Sequence, residues 1–187
     1  DLPNTQQVQN TLLGNVLYYY KDSVQRMLQD LGQQFERAPS QCSTAREEMT
    51  RSLEQANLLM GTILQQLMES IISTIGIILA SMHREPGLNS EKISTSGPSM
   101  FMKELHEFIG RAWSNHIEPY EDKDMLYKCG QELSKRCIEL FLHNLSILRP
   151  LSQAGRQRLK NDCAHLELAL KPMCSQLSQL GNSSRLL

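Results

Sequence analysis

Residues 159–180 read LKNDCAHLELALKPMCSQLSQL, and their apolar positions recur in strict steps of four and three. The positions are Leu159, Cys163, Leu166, Leu170, Met173, Leu177 and Leu180. This spacing places them on one stripe of an α-helix with a repeat close to 3.5 residues. A single helix cannot shield such a stripe, so we predict that it packs structurally against neighbouring helices. Packing stripes and interface stripes look alike, so the sequence alone assigns no partner-binding residues.

Four earlier segments show the same helical periodicity. They are predicted over about Thr5–Phe35, Thr44–Met82, Ser99–Ile117 (or from Pro98) and Lys123–Leu148. The run Thr44–Glu47 offers a capping box at the start of the second helix. Ser152 is expected to cap the fifth helix, Pro172 to bend it, and Gly181 to end it.

The first two helices carry long apolar stripes that we expect to face the interior. The first stripe consists of Val8, Leu12, Val16, Tyr19 or Tyr20, Val24, Met27, Leu31 and Phe35. The second runs through Met49, Leu53, Ala56, Met60, Ile63, Leu67, Ile71, Ile75, Ile78 and Met82. Ile72, Ile77 and Leu79 make the second half of that helix apolar nearly all round, which predicts several neighbours.

The length of the second helix decides the shape of the fold. At 1.5 Å per residue it spans about 58 Å. A compact domain of this chain length has a diameter of roughly 40 Å. The sequence therefore predicts an all-α, elongated bundle of about five long helices, of the helical-rod type. A sharp kink at Gly61 or Gly76 would be the alternative.

The predicted organisation is a single elongated helical domain in three parts. Residues 1–83 form a long antiparallel helix pair, residues 84–98 a flexible loop, and residues 99–187 a three-helix part packed on the pair. The loop is assigned because its residues are polar, rich in turn formers and without period. The chain opens on Asp1 rather than Met, which suggests a processed chain or an excerpt of a longer protein.

Composition excludes several classes of protein. The net charge is −1, which gives no electrostatic reason to bind nucleic acid. The most apolar stretch, residues 71–80, is shorter than the roughly 20 residues of a transmembrane helix. The cysteines are Cys42, Cys129, Cys137, Cys163 and Cys174. Their odd number and the absence of close-spaced pairs favour buried reduced thiols over a disulfide framework.

No constellation for catalysis or for a cofactor emerges from the sequence. The histidines lack the spacing of a metal site, and no Gly-rich phosphate loop or GxSxG motif is present. Asp162 should raise the pKa of the neighbouring Cys163 thiol, which argues against a nucleophile. The basic residues Arg156, Arg158 and Lys160 indicate an exposed helix face or, second, contact with an acidic partner. We therefore predict that the chain is not an enzyme and holds no metal.

The second half of the chain resembles a known family through residues that recur in the same order. They are FMKEL at 101–105 with Phe108-Ile109, ELF at 139–141, LRPL at 148–151, Arg158-Leu159, LELA at 166–169, Pro172, Cys174 and Leu180-Gly181. In order and spacing they resemble the middle-to-C-terminal part of subunit 5 of the conserved oligomeric Golgi complex. The resemblance spans about residues 71–187, whereas residues 1–70 share only helical character.

The resemblance implies a non-enzymatic scaffold in a vesicle-tethering complex. Members of this family build helical rods on the cytosolic face of Golgi membranes, as peripheral proteins. They act with seven sister subunits, most directly subunit 7, in intra-Golgi retrograde transport and Golgi organisation. The family brings no catalytic residues, and contacts with other trafficking proteins are compatible with it.

A secreted four-helix cytokine is the alternative from another functional class. Chain length and helix count allow it, whereas the odd cysteine count and the length of the second helix argue against it. Five free thiols in the unfolded chain would exclude a disulfide-bonded cytokine.

Overall fold

The computed structural model describes residues 4–34, 42–85, 88, 97–148 and 152–174. Over these ranges the chain forms α-helices and no strand, which confirms the all-α prediction. The helices are α1 (Thr5–Gln34), α2 (Ser43–Ala80), α3 (Met100–Ala112), α4 (Lys123–Ile147) and α5 (Gln153–Cys174). A 3₁₀ turn, Ser81–Arg84, extends α2, and a π-helical turn, Trp113–Ile117, extends α3.

Side-chain caps fix the starts of the last two helices. The hydroxyl of Ser152 accepts a hydrogen bond from the Gly155 N–H at 2.9 Å, as the sequence predicts. Asp122 accepts one from the Met125 N–H at 3.0 Å and caps α4. The capping box predicted at Thr44 is wrong, because α2 begins at Ser43 and Thr44 already lies inside its first turn.

Helix α2 is the axis of the bundle and packs against α1, α3 and α4, while α5 packs on α3 and α4. The Tyr20 hydroxyl is hydrogen-bonded to the Ser52 hydroxyl, and Gly14 lies beside Met60, so α1 and α2 are antiparallel. Helices α4 and α5 approach closely at Gly130. A Cβ there would lie 2.6 Å from the Met173 carbonyl oxygen, so only glycine fits.

The hydrophobic core lies between the second half of α2 and helices α3, α4 and α5. The second half of α2 contributes Ile75, Leu79 and the adjoining Met82, each essentially inaccessible to solvent. Helix α3, the turn after it and α4 contribute Phe101, Met102, Leu105, Ile109, Ile117, Leu126, Leu133 and Cys137. By contrast, α1 buries only Gly14 and Val24, so the α1 side of the bundle is thinly packed.

The prediction that α2 is surrounded along its apolar half is wrong at Ile77, which is 71% exposed. Ile75 and Ile78, on the other side of the helix, are buried. Among the described residues, one stretch, Ser43–Arg84, is by length and composition apolar enough to cross a membrane. Core helices of soluble proteins also meet this criterion. Here the apolar half supplies Ile75 and Leu79 to the core, and 33% of the most apolar 18 residues of the stretch are buried.

The segment after α2 is bound to α5 at the positions that the structure describes. Leu88 is 1% exposed, and its carbonyl oxygen accepts hydrogen bonds from the Ser152 N–H at 3.3 Å and hydroxyl at 3.1 Å. Glu85 is also buried. The sequence predicts a loop that buries little, so the prediction is wrong at these two residues. Residues 86–87 and 89–96 of this segment, like Gly181 beyond α5, lie outside the described residues.

The elongated shape follows from α2, which is continuous across Gly61 and Gly76. Its 38 residues span about 57 Å, more than the roughly 40 Å diameter of a compact domain. We expect small-angle X-ray scattering to give a maximum dimension well above ~50 Å. A globular scattering profile would contradict the rod.

Candidate interaction surface

The heptad stripe of α5 is divided between core and surface. Leu159, Leu166, Leu170 and Met173 are each no more than 6% exposed and belong to the core. Cys163 is exposed, so the prediction that it packs is wrong. Leu177 and Leu180 lie outside the described residues.

Asp162 occupies the buried position that the stripe assigns to Cys163. Its carboxylate is fully buried and accepts hydrogen bonds from the Ser99 N–H at 2.8 Å and the Ser99 hydroxyl at 2.7 Å. Ser99 is the N-cap residue of α3, so the carboxylate also lies at the positive end of that helix dipole. Asp162 therefore takes the buried position between Leu159 and Leu166, and Cys163 faces outward.

A second carboxylate, Glu85, joins the same junction. It accepts hydrogen bonds from Arg158 at 2.9 Å and from the Met100 N–H at 3.3 Å. Arg158 is therefore largely buried in an ion pair, which corrects the prediction of an exposed face at this residue. Arg156 and Lys160 are exposed. The Asp162 and Glu85 contacts tie α3, α5 and the end of α2 together, and this junction is structural.

Most of the predicted apolar stripe of α1 faces solvent, whereas Val24 on the same stripe is buried. Val8, Leu12, Val16, Tyr19 and Met27 are 45–63% exposed. We name these five residues the α1 outer face. The prediction that they pack inside is wrong. The opposite side of the helix docks instead, because it carries the small residue Gly14 where the bundle approaches most closely.

Contacts along its inner side fix α1 to the turn between α3 and α4. The Asn15 side chain donates to the Pro119 carbonyl at 3.0 Å and accepts from the Glu121 N–H at 2.9 Å. A Cβ on Gly14 would lie 2.5 Å from the buried Tyr120 ring, so glycine is required for this contact. Burial raises the pKa of the Tyr120 hydroxyl. The α1 outer face is thus held in a fixed position.

Elsewhere in the described ranges, few polar side chains are grouped in a way that suggests a metal site or a catalytic site. No group of three His, Cys, Asp or Glu side chains in the described ranges is arranged to hold a metal ion. His116 lies in the π-helical turn, where burial lowers its pKa and leaves Nδ1 without a hydrogen-bond partner. It borders two small cavities beneath α1, together with Gln7, Leu67 and Ser70. No nucleophile and base are brought together there.

The thiols differ sharply in accessibility, which gives a direct test of the packing. Burial raises the pKa of Cys129 to about 11 and that of Cys137 to about 12. We expect a thiol reagent at pH 8 to label the exposed Cys163 and Cys174 at least ~100-fold faster than these two. Mass spectrometry of peptides from the native protein would measure the rates. Rapid labelling of Cys137 would contradict the packing of α4, and denatured protein is the control.

Burial also raises the pKa of Cys163, and the neighbouring Asp162 carboxylate contributes to the increase, as the sequence predicts. Its exposed thiol is therefore accessible but poorly ionised. It does not have the low pKa of a catalytic cysteine.

Comparison with known proteins gives matches over the whole chain. The chain is 68% identical over 187 residues to conserved oligomeric Golgi complex subunit 5 of Drosophila melanogaster. The resemblance is confirmed, and the chain corresponds to a segment of the subunit 5 family. The match includes residues 1–70, so the prediction that they share only helical character is wrong.

More distant relatives carry the same name. The chain is 36% identical over 148 residues to subunit 5 of Mus musculus, which covers 78% of the chain. It is 23% identical over 194 residues to subunit 5 of Dictyostelium discoideum, which covers 99% of the chain. The chain spans about a quarter of the fly protein (24%) and 18% and 21% of the other two. No family profile and no solved structure matches the chain.

Proposed function

We propose that this chain is a scaffold segment of subunit 5 of the conserved oligomeric Golgi complex and acts in Golgi vesicle tethering. The observation that carries the proposal is the 68% identity to the fly subunit over the entire chain. An identity this high over all 187 residues supports the same place in the same subunit. Its function is mechanical, because a rod sets distances and offers long surfaces to partners.

The transport step, the location and the partners follow from the same proposal. The segment supports intra-Golgi retrograde transport and Golgi organisation, as part of a peripheral protein on the cytosolic face of Golgi membranes. Its partners are the other subunits of the complex, most directly subunit 7, with other trafficking proteins as further contacts. Catalysis is not part of the proposed role, since the buried polar groups Asp162 and Glu85 are engaged in helix contacts.

The secreted cytokine has no support among the relatives. The three relatives described above are all named as subunit 5 of the Golgi complex. The alternative is therefore not proposed further.

A chimera tests the proposed function. In fly cells lacking subunit 5, the matching segment of the fly subunit is replaced by this chain, with a segment-deleted protein as the control. We expect the chimera to co-purify with the other subunits and to localise to the Golgi, whereas the deleted protein does neither. A chimera that folds yet recovers no subunit would overturn the proposal.

A further inference from the structure

The α1 outer face is aimed directly away from the bundle. Successive helical residues are rotated by about 100°, so Leu12 and Val16 each lie about 160° from Gly14. Gly14 is buried against Tyr120, whereas Leu12 and Val16 are 60% and 63% exposed. In the described parts of the chain, no helix covers this face.

The surroundings of this face are depleted in charge. Residues 4–20 contain no Asp, Glu, Lys, Arg or His, and the three consecutive tyrosines 18–20 lie at their end. Depletion of charge with enrichment of Tyr and Met is the composition of the buried centre of protein–protein interfaces. Helices that lie on membranes carry Lys and Arg beside their apolar face, and this stretch carries none. The composition therefore favours a protein partner over a lipid surface.

The dimensions of the face suit a helix. It extends from Val8 to Met27, about 28 Å along the axis, or roughly five turns. Its apolar residues are three, four or eight positions apart, the spacing at which one helix packs along another. The charges near its C-terminal end, Asp22, Arg26 and Asp30, are mixed in sign, so they select neither a strongly basic nor a strongly acidic partner.

The face is also presented without prior rearrangement. The two hydrogen bonds of Asn15 and the contact of Gly14 with Tyr120 hold α1 from behind. A partner that binds the outer face therefore does not have to order the helix first, which lowers the entropic cost of association.

We propose that the α1 outer face binds an uncharged, apolar stripe on a helix of another subunit of the tethering complex. This inference rests on the proposed function, because the relatives are named as subunits of a complex. Beyond that function, the inference identifies the residues of the α1 outer face as those that contact another subunit. Leu58 and Ile77 on α2 are 73% and 71% exposed and provide control positions on another helix.

The test uses the full-length subunit with Leu12→Gln and Val16→Gln combined. Glutamine keeps helix propensity and adds no charge. Each other subunit is co-expressed with it in turn, and recovery is quantified after affinity purification. We expect recovery of at least one subunit to fall at least tenfold, with an unchanged melting temperature. The control pair Leu58→Gln and Ile77→Gln should retain all subunits.

A photocrosslinking amino acid gives a second measurement that leaves the rest of the face intact. Placed at position 12, it should capture the subunit whose recovery falls, and at position 58 it should not. Full recovery of every subunit, or a crosslink from position 12 only to another segment of subunit 5 itself, would overturn the inference.

Other occupants give different results. Loss of self-association alone, measured by light scattering, would assign the face to a second copy and overturn the inference. Loss of flotation with phosphatidylserine vesicles alone would assign it to lipid, with the same consequence. If the wild-type subunit binds none of the others, the proposed function itself fails and takes this inference with it.

Discussion

Replacing Asp162 by alanine is expected to lower the free energy of unfolding by about 3–5 kcal/mol. The carboxylate accepts two hydrogen bonds from Ser99, and both residues are fully buried. Removal leaves the Ser99 N–H and hydroxyl without their acceptor in a site closed to water. A hydrogen bond to a charged group contributes about 1.5–3 kcal/mol, so the loss of two has a large effect.

Chemical denaturation monitored by circular dichroism measures this effect. Asp162→Asn keeps one carbonyl acceptor and the side-chain shape, so its loss should be intermediate between wild type and alanine. Glu167→Ala, an exposed change on the same helix, should stay within about 0.5 kcal/mol of wild type. An Asp162→Ala protein as stable as the Glu167→Ala control would contradict the junction between α3 and α5.

Leu166→Ala and Leu170→Ala should each lower the free energy of unfolding by about 2–5 kcal/mol. Both side chains are 6% exposed and belong to the core between α4, α5 and α3. Truncation removes buried methyl groups and leaves a cavity that the packed helices fill only in part. This is a large share of the net stability of a domain.

Leu168→Ala is the matched control, because Leu168 lies on the same helix and is 53% exposed. It should change stability by less than about 0.5 kcal/mol. Melting of the three proteins separates a core role from an interface role. Unchanged melting of Leu166→Ala and Leu170→Ala, together with lost partner binding, would assign the buried stripe of α5 to an interface.

The α-helical architecture could be predicted from periodicity alone, because long apolar stripes at helical spacing are buried by packing helices along one another. The start of α5 followed from Ser152, whose hydroxyl caps the helix as expected. The length of α2 predicted the elongation. These features depend on local sequence and on helix geometry, and both can be read without tertiary contacts.

The orientation of α1 could not be predicted in the same way. Periodicity predicts that its more apolar side faces the interior, but the docked side carries Gly14 and Asn15 instead. The deciding contacts are to the turn near Tyr120, more than a hundred residues away. Periodicity measures the contrast between two sides of a helix, and it cannot say which side meets the same chain.

The sequence does contain a signal for the buried carboxylate of Asp162. It lies three residues after Leu159 and four before Leu166, so it shares their side of the helix. A charged residue at such a position needs a buried partner. The partner, Ser99, could not be identified because nothing in the sequence links the start of α3 to the middle of α5.

The family resemblance implies that loss of subunit 5 disturbs glycosylation. Rescue of glycosylation in cells without subunit 5 therefore tests most directly the central claim that this chain serves as a tethering scaffold. The fly subunit that carries this chain in place of its own segment is expressed in such cells, and lectin binding at the cell surface is measured. The account predicts that the chimera restores lectin binding to the level given by the intact fly subunit. The segment-deleted protein should restore no lectin binding. A chimera that is expressed and folded at normal levels but leaves lectin binding at the deleted level would contradict the account.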